Sequence, residues 1–340
     1  MIDWMFADQN LPLVFSVLMA ISILVYAILD GYDLGVGILL PMRDTPEHAA
    51  QRDDAIASIG PFWDANETWL VLAVGLLLVA FPAAHSAILK ALYLPATFML
   101  IGLILRGVAF DFRAKVAVTK KRHWDRVFKV GSLITAMMQG FMLGIFVMGF
   151  DYTPMAFGFA ILSSLGVTAA YALIGSSWLI MKTEYALQLV AIRWAKISGA
   201  ITFAGILAVC IINPLINSFV HERWLTAPLA YFIVAIPLLC FSMFAIGYQV
   251  LKRLPLPNDN GSWLPFMMSV IVFVCCFLGL ALSFYPYVVP GQLTIYATAS
   301  APESLRIMLV GSLVVLPMIG GYTIFSYRTF KGKAAALNYY

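Results

Sequence analysis

Two pairs of acidic residues lie within or at the edge of long apolar stretches of this sequence. They are Asp30 with Asp33, and Asp64 with Glu67. A carboxylate near the middle of a bilayer costs roughly 3 kcal/mol on insertion scales, so an intramembrane acid needs a partner, a water path or a function. A buried carboxyl group can take up and release a proton near neutral pH. Proton conduction is therefore the chemistry that these residues favour.

The composition of the chain is that of a membrane protein. Hydrophobic residues make up 62% of its 340 positions and charged residues 11%, and the mean hydropathy is +0.91. These values lie far from those of soluble globular domains. Nine stretches are long and apolar enough to cross about 30 Å of hydrocarbon, approximately residues 12–36, 58–81, 86–110, 128–149, 156–181, 197–219, 225–250, 264–286 and 304–328. We predict an all-α polytopic membrane protein with about nine transmembrane helices.

The start of the chain gives no indication of a cleavable signal peptide. Asp3 and Asp8 occupy the place of a basic region, and the first apolar run continues far beyond a signal-peptide core. We therefore expect the first helix to stay in the membrane.

Metal and redox ligands are not predicted in this chain. Its four cysteines lie inside predicted spans without CxxC spacing, which indicates small buried apolar residues rather than a disulfide or a metal site. Its four histidines fall in loops or at span ends, whereas haem or copper would need ligands inside helices. We predict that the chain binds no haem of its own.

The distribution of basic residues predicts the orientation. The loop 111–129 alone holds seven, namely Arg113, Lys115, Lys120, Lys121, Arg122, Arg126 and Lys129. By the positive-inside rule this side is cytoplasmic, so we expect the N-terminus outside, in the periplasm, and the C-terminus in the cytoplasm. Topology alone accounts for the basic loop, and no nucleic-acid partner is predicted.

This topology should bring the acids together. Asp30 and Asp33 fall in the cytoplasmic third of the first span. If the second span begins near Ser58, it reaches Asp64 and Glu67 about 10 to 14 Å later, at 1.5 Å per residue. Each pair is spaced i, i+3 and so shares a helix face, which we expect to look into the bundle rather than at lipid.

The third span should complete the cluster. It carries Arg106 and then Asp111 at its cytoplasmic end, which places five acids and one arginine at similar depth. Gly31 and Gly35 would let a neighbouring backbone approach the first helix closely. Asn66 adds a neutral donor and acceptor beside Asp64.

Two interpretations of the acids remain open. In the first, Arg106 neutralises one carboxylate while the others cap helix ends or reach the cytoplasmic interface, and nothing is transported. In the second, Asp64 and Glu67 belong to a hydrated proton path open to the cytoplasm. One cation cannot neutralise four membrane carboxylates, and this imbalance favours the second interpretation.

The second half of the chain has a different character. From Phe112 onward the spans contain almost no ionisable residue at mid-depth, so this half is interpreted as scaffold and partner surface. Ser300 and Glu303 fit a capping box that would start the ninth helix. No nucleotide-binding or familiar hydrolase motif occurs.

Several motifs resemble subunit II of bacterial cytochrome bd quinol oxidases, over essentially the whole chain. The resemblance rests on DGYDLGVG at 30–37, GPFWDANETW at 60–69, RGVAFDFR at 106–113, PGQLTI at 290–295 with Ala299 and Ser300, and FKGK at 330–333. The short chain is similar to the compact, cyanide-insensitive branch of that family.

The resemblance implies a fold and an assembly. It implies nine helices in two four-helix bundles plus one peripheral helix, which we divide into a first bundle at 1–155 with the acids and a remainder at 156–340, within one transmembrane domain. It further implies a heterodimer with a haem-bearing subunit I, with b- and d-type haems in that partner. The reaction implied is oxidation of quinol coupled to reduction of O2 to water in the bacterial inner membrane. Small single-helix accessory subunits, lipid and a structural quinone are further candidates, assigned to no residues.

Residue roles also follow from the resemblance. The Trp63-Asp64-x-Asn66 motif implies that Asp64 is the key carboxylate of a proton path to the partner's haems. Asp30 and Asp33 match the family's acidic pair, and whether they conduct protons or hold helices together stays open. Glu67 stands where some relatives have Gln, so its titration is likewise open.

Supporting roles are expected for four residues around these acids, namely Trp63, Asn66, Arg106 and Asp111. Two other classes of function compete with the oxidase subunit. A proton-coupled secondary transporter would couple the same acids to a solute, but it usually has inverted repeats, and the acidic motifs have no counterpart in the second half. A purely structural subunit would have all of its carboxylates paired.

Overall fold

A computed structural model of the chain describes residues 2–226 and 229–334. The elements in chain order are α1 Ile2–Phe6, α2 Leu11–Leu39, α3 Pro46–Ile59, α4 Trp63–Ala80, α5 Pro82–Lys115, α6 Val118–Val147, α7 Pro154–Lys182, α8 Tyr185–Ile216, α9 Ser218–Leu225, α10 Leu229–Arg253, a 3-10 turn Pro257–Asp259, α11 Leu264–Phe284, β1 Tyr287–Val289, β2 Leu293–Thr294, α12 Ile295–Thr298 and α13 Pro302–Thr329. The two strands form a small antiparallel hairpin.

Nine helices in the described part of the chain are long and apolar enough to cross a membrane, which confirms the predicted fold class. They are α2, α4, α5, α6, α7, α8, α10, α11 and α13. We name one end of this bundle the basic end, because the helices α5, α7, α10 and α13 all finish there with lysine or arginine in their last turn.

The second membrane helix starts later than predicted. α4 begins at Trp63 and not near Ser58, because Ser58 belongs to the polar helix α3 and the turn through Pro61 separates the two helices. Arg52 holds α3 against the rest of the bundle through Asp125 of α6, with 2.8 Å between Nε and Oδ2. Asp64 therefore lies in the first turn of α4, nearer to the membrane boundary than expected.

Small residues bring α2 and α7 into close contact, as the glycine spacing predicted. A Cβ added to Gly35 would lie 1.8 Å from the carbonyl oxygen of Tyr171, and one added to Gly175 would lie 2.5 Å from the carbonyl carbon of Gly35. Larger side chains cannot fit at this crossing. The approach buries Tyr32 of α2 in the main apolar core, where its ring stacks on Trp178 of α7 with centroids 4.1 Å apart.

The last helix packs against the start of α4. Ser326 of α13 donates a hydrogen bond to the carbonyl oxygen of Pro61 at 3.2 Å, and Trp69 donates to Thr323 at 3.3 Å. The predicted capping box is wrong. α13 has no side-chain cap at its start, and the Ser300 hydroxyl instead donates to the carbonyl of Val79 at the far end of α4.

The second half of the chain packs mainly through apolar contacts among α8, α10 and α11. Cys240, Val272 and Cys275 form one of its buried clusters. α7 links the halves, since its side chains pack against α2 and α6 on one side and α8 and α11 on the other. The division at residue 155 into two bundles stays a prediction.

Candidate functional site

Arg106 is the centre of a buried ionic cluster formed by three helices. Its Nη1 donates to Asp30 Oδ1 of α2 at 2.7 Å and to Glu67 Oε1 of α4 at 2.9 Å. Its Nη2 lies 3.7 Å from Asp33 Oδ2. Arg106 and both aspartates have side chains at most 1% exposed, whereas Glu67 is 30% exposed. The structure thus brings four of the predicted site residues together.

The local sequence explains why these side chains meet. Asp30 and Asp33 lie one turn apart near the end of α2, on the face that α4 and α5 cover. Glu67 lies in the second turn of α4, and Arg106 lies about two and a half turns before the end of α5. Each of these helices reaches the basic end at this point, so the four charges share one depth.

Asn66 is a fully buried connector of the cluster. Its Nδ2 donates to Asp33 Oδ2 at 2.7 Å and to the Tyr32 hydroxyl at 2.9 Å. Its Oδ1 accepts from the Tyr327 hydroxyl of α13 at 3.2 Å, and the two tyrosine hydroxyls are 2.6 Å apart. Asn66 therefore faces Asp33, and the prediction that it works beside Asp64 is wrong. The reason is that residues two apart on a helix, such as Asp64 and Asn66, point about 160° apart.

A second polar connection reaches the cluster from deeper in the bundle. Tyr171 of α7 donates to Gln139 Oε1 at 2.6 Å, and Gln139 Nε2 of α6 donates to the Tyr26 hydroxyl at 2.6 Å. Because that hydroxyl accepts from Gln139, its own hydrogen is directed elsewhere, and Asp30 is its charged neighbour. Sequence reasoning missed these residues and Tyr327, although polar side chains within apolar spans were a signal for them.

The cluster is incompletely hydrogen-bonded and unbalanced in charge. Four of its buried polar atoms make no hydrogen bond with any described residue, namely Asp30 Oδ2, Asp33 Oδ1, and Arg106 Nε and Nη2. Such atoms are rare in protein interiors and mark places where water, an ion or a proton is accommodated. Three carboxyl groups also face one guanidinium, so at most one of them is neutralised by it.

Asp64 does not join the buried cluster, which corrects the expectation that its helix face looks into the bundle. Its side chain is exposed on the surface of the chain, and so is that of Asp111, its electrostatic neighbour on α5. Residues three apart on a helix differ by about 60° in direction. Glu67 consequently turns inward while Asp64 turns outward. Trp63 packs against α5, with the centroid of its ring 5.0 Å from that of Phe110.

A second charged network lies at the basic end, between the polar helix α3 and the termini of α5 and α6. Asp125 is 1% exposed and accepts from Arg52 at 2.8 Å and from Arg113 at 2.5 Å. Arg113 also bonds Asp53 at 2.7 Å. Partial burial and the charge of Asp53 raise the pKa of the neighbouring Asp54 above its ordinary value. This network joins α3, α5 and α6.

A metal site is not indicated by the described residues. Across 2–226 and 229–334, no group of three or more His, Cys, Asp or Glu side chains is placed to hold a metal ion. The four cysteines are free thiols on α8, α10 and α11. The chemistry that the acidic cluster can perform is the holding and transfer of protons.

Comparisons with known proteins agree with these features. Cytochrome bd ubiquinol oxidase subunit 2 from Bacillus subtilis is 29% identical over 94% of this chain and 95% of its own length. Cytochrome bd-I ubiquinol oxidase subunit 2 from Escherichia coli K12 is 26% identical over 98% and 96%.

A solved structure has the same fold. One chain of the bd oxidase from Geobacillus thermodenitrificans superposes with a TM-score of 0.74 at 17% identity, covering 94% of this chain and 99% of that one. The sequence profile described as cytochrome bd terminal oxidase subunit II matches residues 11–330. The chain therefore belongs to the cytochrome bd terminal oxidase subunit II family, a family of multi-pass bacterial membrane proteins.

Proposed function

We propose that this chain is the haem-free subunit II of a cytochrome bd-type quinol oxidase. In this role it supports a haem-bearing subunit I and conducts protons from the cytoplasm toward the site of O2 reduction. The observation that carries the proposal is the buried cluster of Asp30, Asp33 and Glu67 around Arg106, with its unpaired oxygen and nitrogen atoms. Its membership of the family agrees with this assembly.

The charge balance of the cluster supports proton exchange. With all groups ionised, three carboxylates and one guanidinium would carry a net charge of −2 in a site of low dielectric. Like charges at such separations disfavour each other's ionised form. The cluster is therefore expected to retain a proton, and the retained proton is the one that can move.

A gradient of exposure supports the direction of conduction. Asp64 is exposed at the first turn of α4, Glu67 is 30% exposed one turn further, and Asp30 and Asp33 are fully buried. We assign the basic end to the cytoplasm by the positive-inside rule, which puts the N-terminus in the periplasm. Protons would enter at Asp64 and continue through Glu67 to the buried aspartates.

The neighbouring residues have supporting roles in this proposal. Asn66 holds Asp33 in place, and Trp63 packs against α5. Asp64 and Asp111 are exposed near the ends of membrane helices, where contact of an ionised side chain with lipid is unfavourable. This preference favours a protein partner or water beside them. We infer that the partner subunit, with the b- and d-type haems, covers part of this face.

Quinol would supply the electrons, and haem in the partner would pass them to O2, whose reduction to water consumes protons. The present chain would contribute no redox centre and no catalytic residue. Accessory single-helix subunits and a structural quinone belong to the same proposal without assigned residues. A transporter is disfavoured, because no acid after residue 156 is buried in the described part of the chain.

The replacement Asp64→Asn tests the proposal in the purified complex. It should lower quinol-dependent O2 consumption about tenfold or more while the haem absorbance and subunit composition stay normal. Asp44→Asn is the matched control, since Asp44 is an exposed acid at the same end that pairs only with Arg122. Full turnover by the Asp64 variant would remove this residue from the path. A stable chain that purifies without a haem partner would refute the oxidase assignment itself.

A further inference from the structure

An apolar groove lies between α8, α10 and α11, with α7 as its floor, and none of the residues that line it belongs to the acidic cluster. Its volume is about 500 Å3. Phe203, Phe241 and Val272 line the deep part, and Lys196 and Tyr248 line the part toward the basic end. Among the described residues that line the groove, none is acidic. It is thus apolar along its length and cationic at one end.

The length of the groove suits a chain-like apolar occupant. Along α10 it extends from Phe241 to Leu251, which is about 15 Å at 1.5 Å per residue. An extended hydrocarbon chain can lie along a groove of this length.

Small residues keep the groove open. An added Cβ would meet only Leu173 at 3.5 Å from Gly199, and only the Met268 sulfur at 3.5 Å from Gly247. These glycines therefore do not serve close helix packing, unlike Gly35 at the crossing of α2 and α7. Because glycine has no side chain, these two positions leave space that larger side chains would otherwise fill.

The polar groups of the groove lie at its basic end. Ser177 and Ser269 bond each other at 3.2 Å, and Ser269 also donates to Pro265, so the inner wall has no free hydroxyl for a ligand. Lys196 is half-buried and makes no hydrogen bond or ion pair with any described residue. Lys252 lies over the ring of Tyr248, with its Nζ 4.5 Å from the centroid.

We propose that this groove binds one acyl chain of an anionic phospholipid, with the phosphate held between Lys196 and Lys252. Basic pockets between membrane helices on the cytoplasmic side recognise such head groups, and each basic residue contributes about 1 kcal/mol. The acyl chain is stabilised by packing on the phenylalanines. The site lies outside the proposed proton path, and its occupancy can be measured without turnover.

Titration of the delipidated intact complex tests the charged end. Phosphatidylglycerol and phosphatidylcholine with identical acyl chains are added separately, and bound lipid is counted by native mass spectrometry. Phosphatidylglycerol should bind more tightly. Lys196→Gln should weaken it about fivefold, the equivalent of about 1 kcal/mol, and leave phosphatidylcholine unchanged. Lys120→Gln, an exposed lysine at the same end, is the control and should have no effect. Equal affinity of the two lipids for the unmodified complex would overturn the proposal.

Filling the groove tests the apolar part. Ala200→Phe should abolish the binding of one lipid, while Ile201→Phe, on the neighbouring exposed position outside the lining, should preserve it. Haem absorbance verifies that both variants are assembled. If the complex with Ala200→Phe fails to assemble, the lipid titration of Lys196→Gln tests the proposal alone. Release of a quinone or a single-helix polypeptide by Ala200→Phe, with lipid binding intact, would identify a different occupant and overturn the proposal.

Discussion

Two buried charge networks lie near the basic end of this chain, and they are built differently. In the network around Asp125, both carboxylate oxygens are paired, one with Arg52 and the other with Arg113. In the cluster around Arg106, three carboxyl groups share one cation, and several atoms of the cluster have no hydrogen-bond partner among the described residues. We call the first network balanced because each of its acids has basic partners, and the second unbalanced because its acids outnumber its one cation.

This difference separates a structural use of charge from a chemical one. A balanced network satisfies its ions in a single protonation state, and this one holds α3 against the ends of α5 and α6. An unbalanced cluster inside the membrane can exist in more than one protonation state, since its excess acids oppose each other's ionisation. A purely structural contact would not need more carboxyl groups than cations.

Removal of the single cation should have the largest effect. In Arg106→Met, three buried carboxyl groups lose their common donor, and breaking a buried ion pair by removing one partner costs about 3–5 kcal/mol. We expect the oxidase complex to be recovered in low yield with a strongly lowered thermal midpoint, measured by loss of haem absorbance on heating.

Arg106→Lys is the matched control for this variant. It keeps the charge but replaces the fork of donors with a single ammonium group, so it should recover part of the yield. Arg106→Met with normal yield and normal thermal stability would show that the cluster does not depend on its cation, and the comparison of the two networks would fail.

The nine spans and four of the six expected members of the cluster could be predicted from sequence for simple reasons. Membrane helices need long apolar runs, and acids inside such runs are costly enough to need a common partner. Asp30, Asp33, Glu67 and Arg106 therefore met as expected. Apolar runs and the charged residues within them can both be identified from the local sequence alone.

The remaining details depended on packing between distant segments. The start of α4 at Trp63 depends on how α3 folds back, so the outward direction of Asp64 could not be read from its spacing to Glu67. Tyr327 reaches Asn66 across 261 positions of the sequence. Asp125 lies among basic loop residues, and nothing in that loop indicates that its side chain is buried.

The balanced network should respond to loss of an acid by losing stability. Asp125→Asn keeps one oxygen acceptor but removes the charge that two arginines share, and hydrogen bonds to charged groups contribute about 1.5–3 kcal/mol. The thermal midpoint of the complex should fall accordingly, while O2 consumption per haem stays normal at low temperature. The control Asp44→Asn, at an exposed pair worth at most about 1 kcal/mol, should change neither. Reduced turnover per haem in Asp125→Asn would place this network in the proton path.

The unbalanced cluster should respond to loss of an acid in the opposite way. Glu67→Gln keeps an oxygen that accepts from Arg106 Nη1 and removes one of three like charges, so the thermal midpoint should stay unchanged or rise. Turnover should fall about threefold, the equivalent of about 0.7 kcal/mol, since Glu67 is the half-exposed step between Asp64 and the buried aspartates. This expectation is tested by measuring thermal midpoints and O2 consumption per haem in parallel for Glu67→Gln and Asp125→Asn. A loss of stability as large as that of Asp125→Asn would make the two networks alike and Glu67 a structural partner of Arg106.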